Sequence, residues 1–528
     1  MVPSPPWGEG PGVRGGEGKP MGESATPRLS RLVKFFYGAG DTGFSITYTT
    51  LDFLFAKFLL DVVGLPPALA AGAIFAGRTW DWINDPLVGF ISDRTRTRWG
   101  RRRPFLLFGA APFALSFVLL WWVPPLTSIT ALAAYYGLAY FLFDAMATLV
   151  SVPYYALTPE LTPDYDERTS LNMYRMIFSI LAGMIAYLAP DLIGLFGDRR
   201  TGHVAVAALF GLIAALPLFG VYLTAAEKPE HQREAPDSDL GDLISSLKDW
   251  VRGHKPLSGL AAGLAVGWLA VWWGNEMMIF LGVLIFATTI IIRAFNYNRP
   301  FLFAMGIFLF TWTTVSVIVA ILPFFVEYWL GMADRLTEIM AAVFLSALVW
   351  LPFWSWFAQR FSKRSAYVVG MLFWGVVQIA LISLRPGTPL PAVLALAALA
   401  GVGISTAHII PFSIIPDALE WDELRTGLRR EGAYYSMVTL MQKVASSVAV
   451  PMALLVLAWA GYVPNVPQTA RSLWAIRGLV GPLPAALLIA GIVFAAFYPL
   501  SREQHARIRR LLERKRLRAG VIGSMEVI

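Results

Sequence analysis

The sequence predicts an all-α polytopic membrane protein made of two six-helix bundles, and three observations carry that prediction. Apolar residues make up 56% of the 528 residues and charged residues only 15%, with a mean hydropathy of +0.59. A soluble chain of this length needs far more charged surface. Apolar runs of about 20 residues, the length that crosses a bilayer, recur between residues 32 and 500. They fall into two sets of six on either side of a polar stretch at 227–255.

The elements follow in order. Residues 1–27 read as a disordered tail: 1–19 are rich in Gly and Pro and lack the apolar core of a signal peptide. A start at Met21 would shorten that tail. The first bundle, 28–226, places spans near 33–62, 67–92, 104–124, 128–158, 168–196 and 202–225. A cytoplasmic loop is expected at 227–256. An inserted hydrophobic hairpin at 257–293 follows, with two apolar runs separated by Gly274, Asn275 and Glu276. Each run is slightly short for a crossing, so two spans or a re-entrant pair are both open. Two extra spans, giving fourteen helices, is the favoured reading. The second bundle, 294–499, places spans near 300–330, 335–359, 365–384, 389–416, 431–461 and 473–498. Residues 500–528 form a basic cytoplasmic tail whose alternation of basic and apolar residues fits a helix on the inner leaflet.

Loop charges orient the chain. Arg28, Arg31 and Lys34 precede the first span, and Arg94, Arg96, Arg98, Arg101, Arg102 and Arg103 follow the second. Arg360, Lys363 and Arg364 mark the same side in the second half, whereas the opposite loops are uncharged apart from Arg199 and Arg200. Both termini are therefore expected to be cytoplasmic, in a bacterial inner membrane. The +8 net charge belongs to these loops and does not indicate a nucleic-acid partner. Cysteine is absent, which excludes disulfides, thiolate metal sites and a thiol nucleophile. No phosphate-binding loop, HExxH or nucleophile elbow is present, so the chain is not read as an enzyme.

An internal repeat supports two related halves. Val152-Pro153-Tyr154-Tyr155-Ala156-Leu157-Thr158-Pro159-Glu160 ends the fourth span, and Ile410-Pro411-Phe412-Ser413-Ile414-Ile415-Pro416-Asp417 ends the tenth. Both pair a helix-bending proline with a second proline and an acid at the same face. Repeated halves with a site between them describe many secondary transporters.

The run Gly77-Arg78-Thr79-Trp80-Asp81-Trp82-Ile83-Asn84-Asp85-Pro86-Leu87-Val88-Gly89, followed by Asp93-Arg94-Thr95-Arg96-Thr97-Arg98-Trp99-Gly100-Arg101-Arg102-Arg103-Pro104, is the most distinctive in the chain. It closely resembles the glycoside–pentoside–hexuronide:cation symporters, the melibiose-permease branch of the major facilitator superfamily. The resemblance extends through Tyr37-Gly38, Pro153, Arg175, 411–417, Lys443 and 461–466, and it implies a major facilitator fold. The hairpin at 257–293 lies outside the family pattern.

Asp81 and Asp85 sit one helical turn apart, on one face. A carboxylate at mid-membrane is costly unless paired or bound to a cation. An ion site accounts for two of them, and a helix-locking pair with Arg78 is the plainer alternative. The resemblance places both in a cation site, with Asn84 between them. The family's carboxylates on the first and fourth helices fall here on Ser45 and Ser151, which argues against a melibiose-like specificity. Asp41 and Asp144, four and seven residues earlier, share those faces and are candidates for relocated acids. Thr148, Ser45 or backbone carbonyls could complete an oxygen shell for Na+, and a desolvated aspartate could equally carry H+. The coupling ion is therefore Na+ or H+, with possible Na+ at Asp81 and Asp85, and no cofactor is expected.

Arg175 and Lys443 match the family's intramembrane cations and would donate to substrate or pair with the acids; a purely structural bridge is the alternative. His408 falls where the family places a sugar-stacking aromatic, and Tyr155 keeps an aromatic with a hydroxyl. Arg78, Asp93, Arg94, Gly100 and Arg101 in the first half, and Asp417 with Arg425 in the second, are read as gating residues. Together these imply cation-coupled symport of a sugar, glycoside or uronide by alternating access, with a monomer expected. A lysophospholipid or other amphipathic solute is the alternative, and a non-transporting sensor a more distant one.

Overall fold

The computed structural model describes residues 29–79, 81–162, 165–225, 298–427 and 431–525. The loop at 227–256, the hairpin at 257–293 and the tail at 1–27 fall outside the described residues. In the first half, α1 (Arg31–Thr50) continues through two π-helical turns, Leu51–Phe55 and Phe58–Val62. Then come α2 (Pro67–Thr79), α3 (Asp81–Arg94), α4 (Arg103–Trp121), α5 (Ile129–Leu161), α6 (Tyr165–Ala186), the short α7 (Ala189–Gly194) and α8 (Arg199–Thr224). The second half contains α9 (Arg299–Phe324), extended by a π turn at Phe325–Trp329, then α10 (Leu336–Arg360), α11 (Lys363–Leu381) and α12 (Leu390–Thr426). It closes with α13 (Glu431–Trp459), α14 (Ala470–Val480), α15 (Pro482–Ala496) and the tail helix α16 (Arg502–Met525).

Local chemistry sets the helix ends. Ser30, Ser128, Asp198, Ser362 and Thr469 each accept a backbone N–H with their side chains and start a helix. Gly427 ends α12 at φ +73°, a left-handed conformation that glycine adopts without strain. Among the described residues, ten stretches are long and apolar enough to cross a membrane. The helical stretches 31–62, 67–79 and 81–94 lie outside those ten and carry interior charges, among them Asp41, Asp52, Arg78 and Asp85.

Packing follows membrane rules. Within the first half α1 lies on α6 and α8, and within the second α12 lies on α10 and α11. Small residues let the backbones approach. A Cβ on Gly43 would stand 2.6 Å from the Ala214 carbonyl oxygen, and one on Gly401 would stand 2.2 Å from that of Val343. The outer surface carries large apolar side chains such as Leu115, Leu138, Leu223, Val349 and Val376, a surface suited to lipid rather than water. The halves meet where α2 lies along α13 and where α9 touches the first π turn.

Candidate functional site

A cavity of about 560 Å³ lies between the halves. Its polar wall is built mainly by α1, α3, α5 and α13. On α1 and the π turn that continues it, Asp41, Ser45, Tyr48 and Asp52 recur at helical spacing and all line it. Asp85 of α3 meets Lys443 of α13 at 2.5 Å, with the two side chains only 30% and 22% exposed. Thr148 of α5 donates to the other Asp85 oxygen at 3.3 Å. The Asn84 amide donates to the Asp144 carbonyl at 3.4 Å, and Tyr48 donates to the Asp144 carboxylate at 3.3 Å.

Two further charge groups flank this centre. Arg78 binds Asp52 at 2.6 Å and reaches the Ser446 carbonyl of α13 at 3.3 Å, so it spans both halves. Tyr155 donates to Asp41 at 3.1 Å, and the Arg175 guanidinium lies 5.0 Å above the Tyr155 ring. Ser45 donates to the Ser179 carbonyl at 2.6 Å, and Ser151 lines the cavity. His408 Nδ1 lies 3.0 Å from the Ile404 carbonyl, with its ring edge-on to Trp312 at 5.4 Å. The structure thus brings Asp41, Ser45, Asp85, Asp144, Thr148, Ser151, Tyr155, His408 and Lys443 to one cavity. The side chains of Asp81 and Asp93 lie outside the described residues.

Asp52, Tyr48 and Trp312 also line this cavity and were not singled out from the sequence. The signal was present for Asp52, which lies eleven residues, three helical turns, beyond Asp41.

One end of the interface is closed by a hub on Asp61. Its carboxylate binds Lys57 one turn earlier, accepts from Tyr462 at 2.8 Å and from Tyr328 at 3.2 Å. Asn465 donates to the Asp61 carbonyl at 2.7 Å. Lys57 also pairs with Glu327 of the second half. Burial, and then the Asp61 carboxylate, push the Tyr462 phenol above its ordinary pKa, which keeps it a donor. In the cavity lining, Tyr187 stacks on Phe344 of the second half with ring centres 4.5 Å apart.

At the opposite end each half is fastened by the acid of its repeat. Glu160 binds Arg102 at 2.5 Å and also binds Arg101, both from the start of α4. Asp417 binds Lys363, from the start of α11, at 2.6 Å. Arg103 reaches the Tyr222 carbonyl at 2.9 Å, and the turn before α4 uses Gly100 at φ +118°. Arg94 occupies the last turn of α3. Arg425 lies 5.2 Å over the Trp421 ring, and the described partners of Asp417 are Lys363 and, at 3.3 Å, His505.

The comparisons with known proteins agree with this architecture. The chain matches the family described as MFS/sugar transport protein over residues 36–282 and 286–502. It belongs to that family. An uncharacterized symporter of Synechocystis sp. is 34% identical across 92% of this chain and 97% of that protein. Sodium-dependent lysophosphatidylcholine symporter 1-A of Danio rerio is 27% identical across 89% of this chain and 86% of its own length. Among solved structures, the xylose transporter XylE from E. coli, in a partially occluded inward open conformation, superposes with a TM-score of 0.57 at 14% identity. That match covers 89% of this chain and all of the other, and it speaks to the fold alone. The chain is a multi-pass membrane carrier of the major facilitator kind, not an enzyme, and the symporter relatives support cation-coupled secondary transport.

Proposed function

We propose that this carrier couples a cation to the symport of an amphipathic solute with a polar head and an apolar tail. The observation that carries this reading is the division of the cavity. Its first-half wall and α13 supply Asp41, Asp52, Arg78, Asp85, Asp144 and Lys443, whereas its other wall supplies Val315, Ile318, Val319, Phe344, Trp374 and Ile404. Ile318, Val319, Phe344, Trp374 and Ile404 also line a small cleft of about 40 Å³ inside the second half. There they are joined by Leu322, Phe325, Met340, Leu381 and Ala397, with Gln378 the one polar side chain in its described lining. A polar cavity bordered by a small apolar cleft suits the head and first methylenes of an amphipath better than a sugar, whose hydroxyls need partners all round.

In this reading Asp85 and Asp81, with Asn84, Thr148 and oxygens near Ser45 and Ser151, hold the cation. Na+ is the proposed ion, as in the name of the zebrafish relative. An ion on Asp85 competes with Lys443 and frees its ammonium for an anionic head, with Arg175 as a second donor. Cation and solute then favour each other by linkage. Asp41 and Asp144 set the charge around the head, and His408 and Tyr155 offer ring faces. Gating is assigned to Arg78, to the loop with Asp93, Arg94, Gly100 and Arg101, and to Asp417 and Arg425. The carrier works as a monomer in a bacterial inner membrane with both termini in the cytoplasm.

A sugar or glycoside is the second reading, favoured by the family description and by the Trp312, His408 and Tyr155 rings on the cavity wall. Uptake into proteoliposomes separates the two. A Na+ gradient should drive accumulation of a lysophospholipid but not of methyl glycosides or glucuronides. Gradient-driven glycoside uptake with no lysophospholipid uptake would overturn the amphipath reading.

A further inference from the structure

Three described acids of the interior each hold a basic partner. Asp52 binds Arg78, Asp61 binds Lys57 and Asp85 binds Lys443. Asp41 is different. It is 6% exposed, and among the described residues no basic side chain stands within ion-pairing distance of its carboxylate. The Tyr155 hydroxyl donates to that carboxylate at 3.1 Å, while the Arg175 guanidinium lies 5.0 Å over the Tyr155 ring. One tyrosine thus touches both members of an ion pair that is not made.

Arg175, on α6, is the charge that acts on Asp41 among the described residues, and Ser179 of the same helix gives it a second hydroxyl. On α1 itself Tyr37 lies one turn earlier. It stacks on Tyr154 of α5 with ring centres 5.0 Å apart and bonds Thr158. α8 brings Val221 against the neighbouring Gly40. Across the cavity the second half presents His408, and Lys443 in its bond with Asp85. A carboxylate this enclosed is costly as an anion without an ion pair, whereas a neutral carboxyl is not. A proton on one oxygen leaves the other to accept from Tyr155.

We propose that Asp41 binds a proton and that this proton is a second coupling ion beside Na+. Proton and Arg175 compete for the Asp41 carboxylate, as Na+ and Lys443 compete for that of Asp85. The proton enters from the outer solution and sits on a carboxylate oxygen, which leaves the guanidinium to the anionic head. When the head departs, Arg175 closes on the carboxylate and the proton passes to the inner solution. The link to transport rests on the role given to Arg175 above. The proton site itself does not depend on which solute is carried.

Infrared spectra of the purified full-length carrier, in a detergent without carbonyl groups, read the site directly. Wild type at neutral pH should show the carbonyl stretch of a protonated carboxyl, and D41N should weaken it. Absence of that band in wild type, or its full retention in D41N, would overturn the site. The wild-type spectrum needs no variant to fold. Uptake into proteoliposomes reads the coupling. With equal Na+ on both sides, an outside-acid pH gradient should drive lysophosphatidylcholine accumulation in wild type. In D41N the ratio of proton-driven to Na+-driven accumulation should fall to near zero. An unchanged ratio in D41N, a ratio that falls in H408Q instead, or no proton-driven accumulation in a wild type that follows Na+ would each overturn the coupling. If neither gradient drives lysophosphatidylcholine, the solute reading fails and the infrared result decides the proton site.

Discussion

Lys443 and Asp85, 358 residues apart in the chain, meet at 2.5 Å across the interface between the halves. The bond joins α3 to α13 inside the transport cavity, so any ion that takes the carboxylate loosens one half from the other. Asp85→Asn should abolish gradient-driven accumulation. It should also lower stability by about 1–3 kcal/mol, since Lys443 loses a charged partner while keeping some solvent. Uptake assays and thermal melts check both. Full accumulation by the variant would sink the coupling role.

The Asp61 hub makes a prediction about access. Asp61→Asn weakens the bonds to Lys57, Tyr328 and Tyr462 at once and should populate a form open at that end. With no native cysteine, Ser316→Cys in the cavity wall is a clean reporter. An impermeant maleimide added from the Asp61 side should label it severalfold faster in the Asp61→Asn background. Unchanged labelling would show that the hub does not hold the end closed.

The apolar cleft, small at about 40 Å³, sets a short tail-length limit under the amphipath reading. Each additional methylene buried is worth about 0.8 kcal/mol, roughly fourfold in affinity. Apparent affinity should climb with acyl length and then level off. Ala397→Phe, which fills part of the cleft, should move that plateau to shorter tails. Affinity independent of tail length would remove the cleft from the mechanism.

Close helix approach is testable without a substrate. Gly401→Val places a side chain against the Val343 carbonyl, an overpacking that typically costs about 1–3 kcal/mol. The melt should move down accordingly. Gly375→Val is the control, because a Cβ there meets nothing within 4 Å.

Much of the fold was legible because each span is a one-dimensional signal. The expected span 33–62 is the helical stretch 31–62, and 202–225 is α8 within a few residues. Breaks inside spans were harder. The expected span 473–498 is two helices that part at Gly481, ahead of Pro482, and 168–196 breaks near Tyr187, ahead of Pro190. Hydropathy hides such breaks, because both sides of the kink are equally apolar.

Site residues divide in the same way. Asp85, Lys443 and Tyr155 stood out as charges or hydroxyls within apolar runs. The Asp61 hub did not, because its significance lies in Tyr328 and Tyr462, 267 and 401 residues away. Periodicity reads one helix at a time and cannot supply such partners. The repeat ending in Glu160 and Asp417 was visible as prolines and acids, yet the matching cations, Arg102 and Lys363, emerge only in three dimensions.

Those matched cations have a mechanical consequence. Each half is cross-braced within itself, at Glu160 in one and Asp417 in the other. The described ion pairs between the halves sit instead at Lys57–Glu327 and Asp85–Lys443, beside the packing of α2 along α13. The carrier is built like two stiff levers joined by a few rivets. In the proposed cycle a stroke would exchange these rivets and slide α2 along α13, while the braces keep each lever stiff.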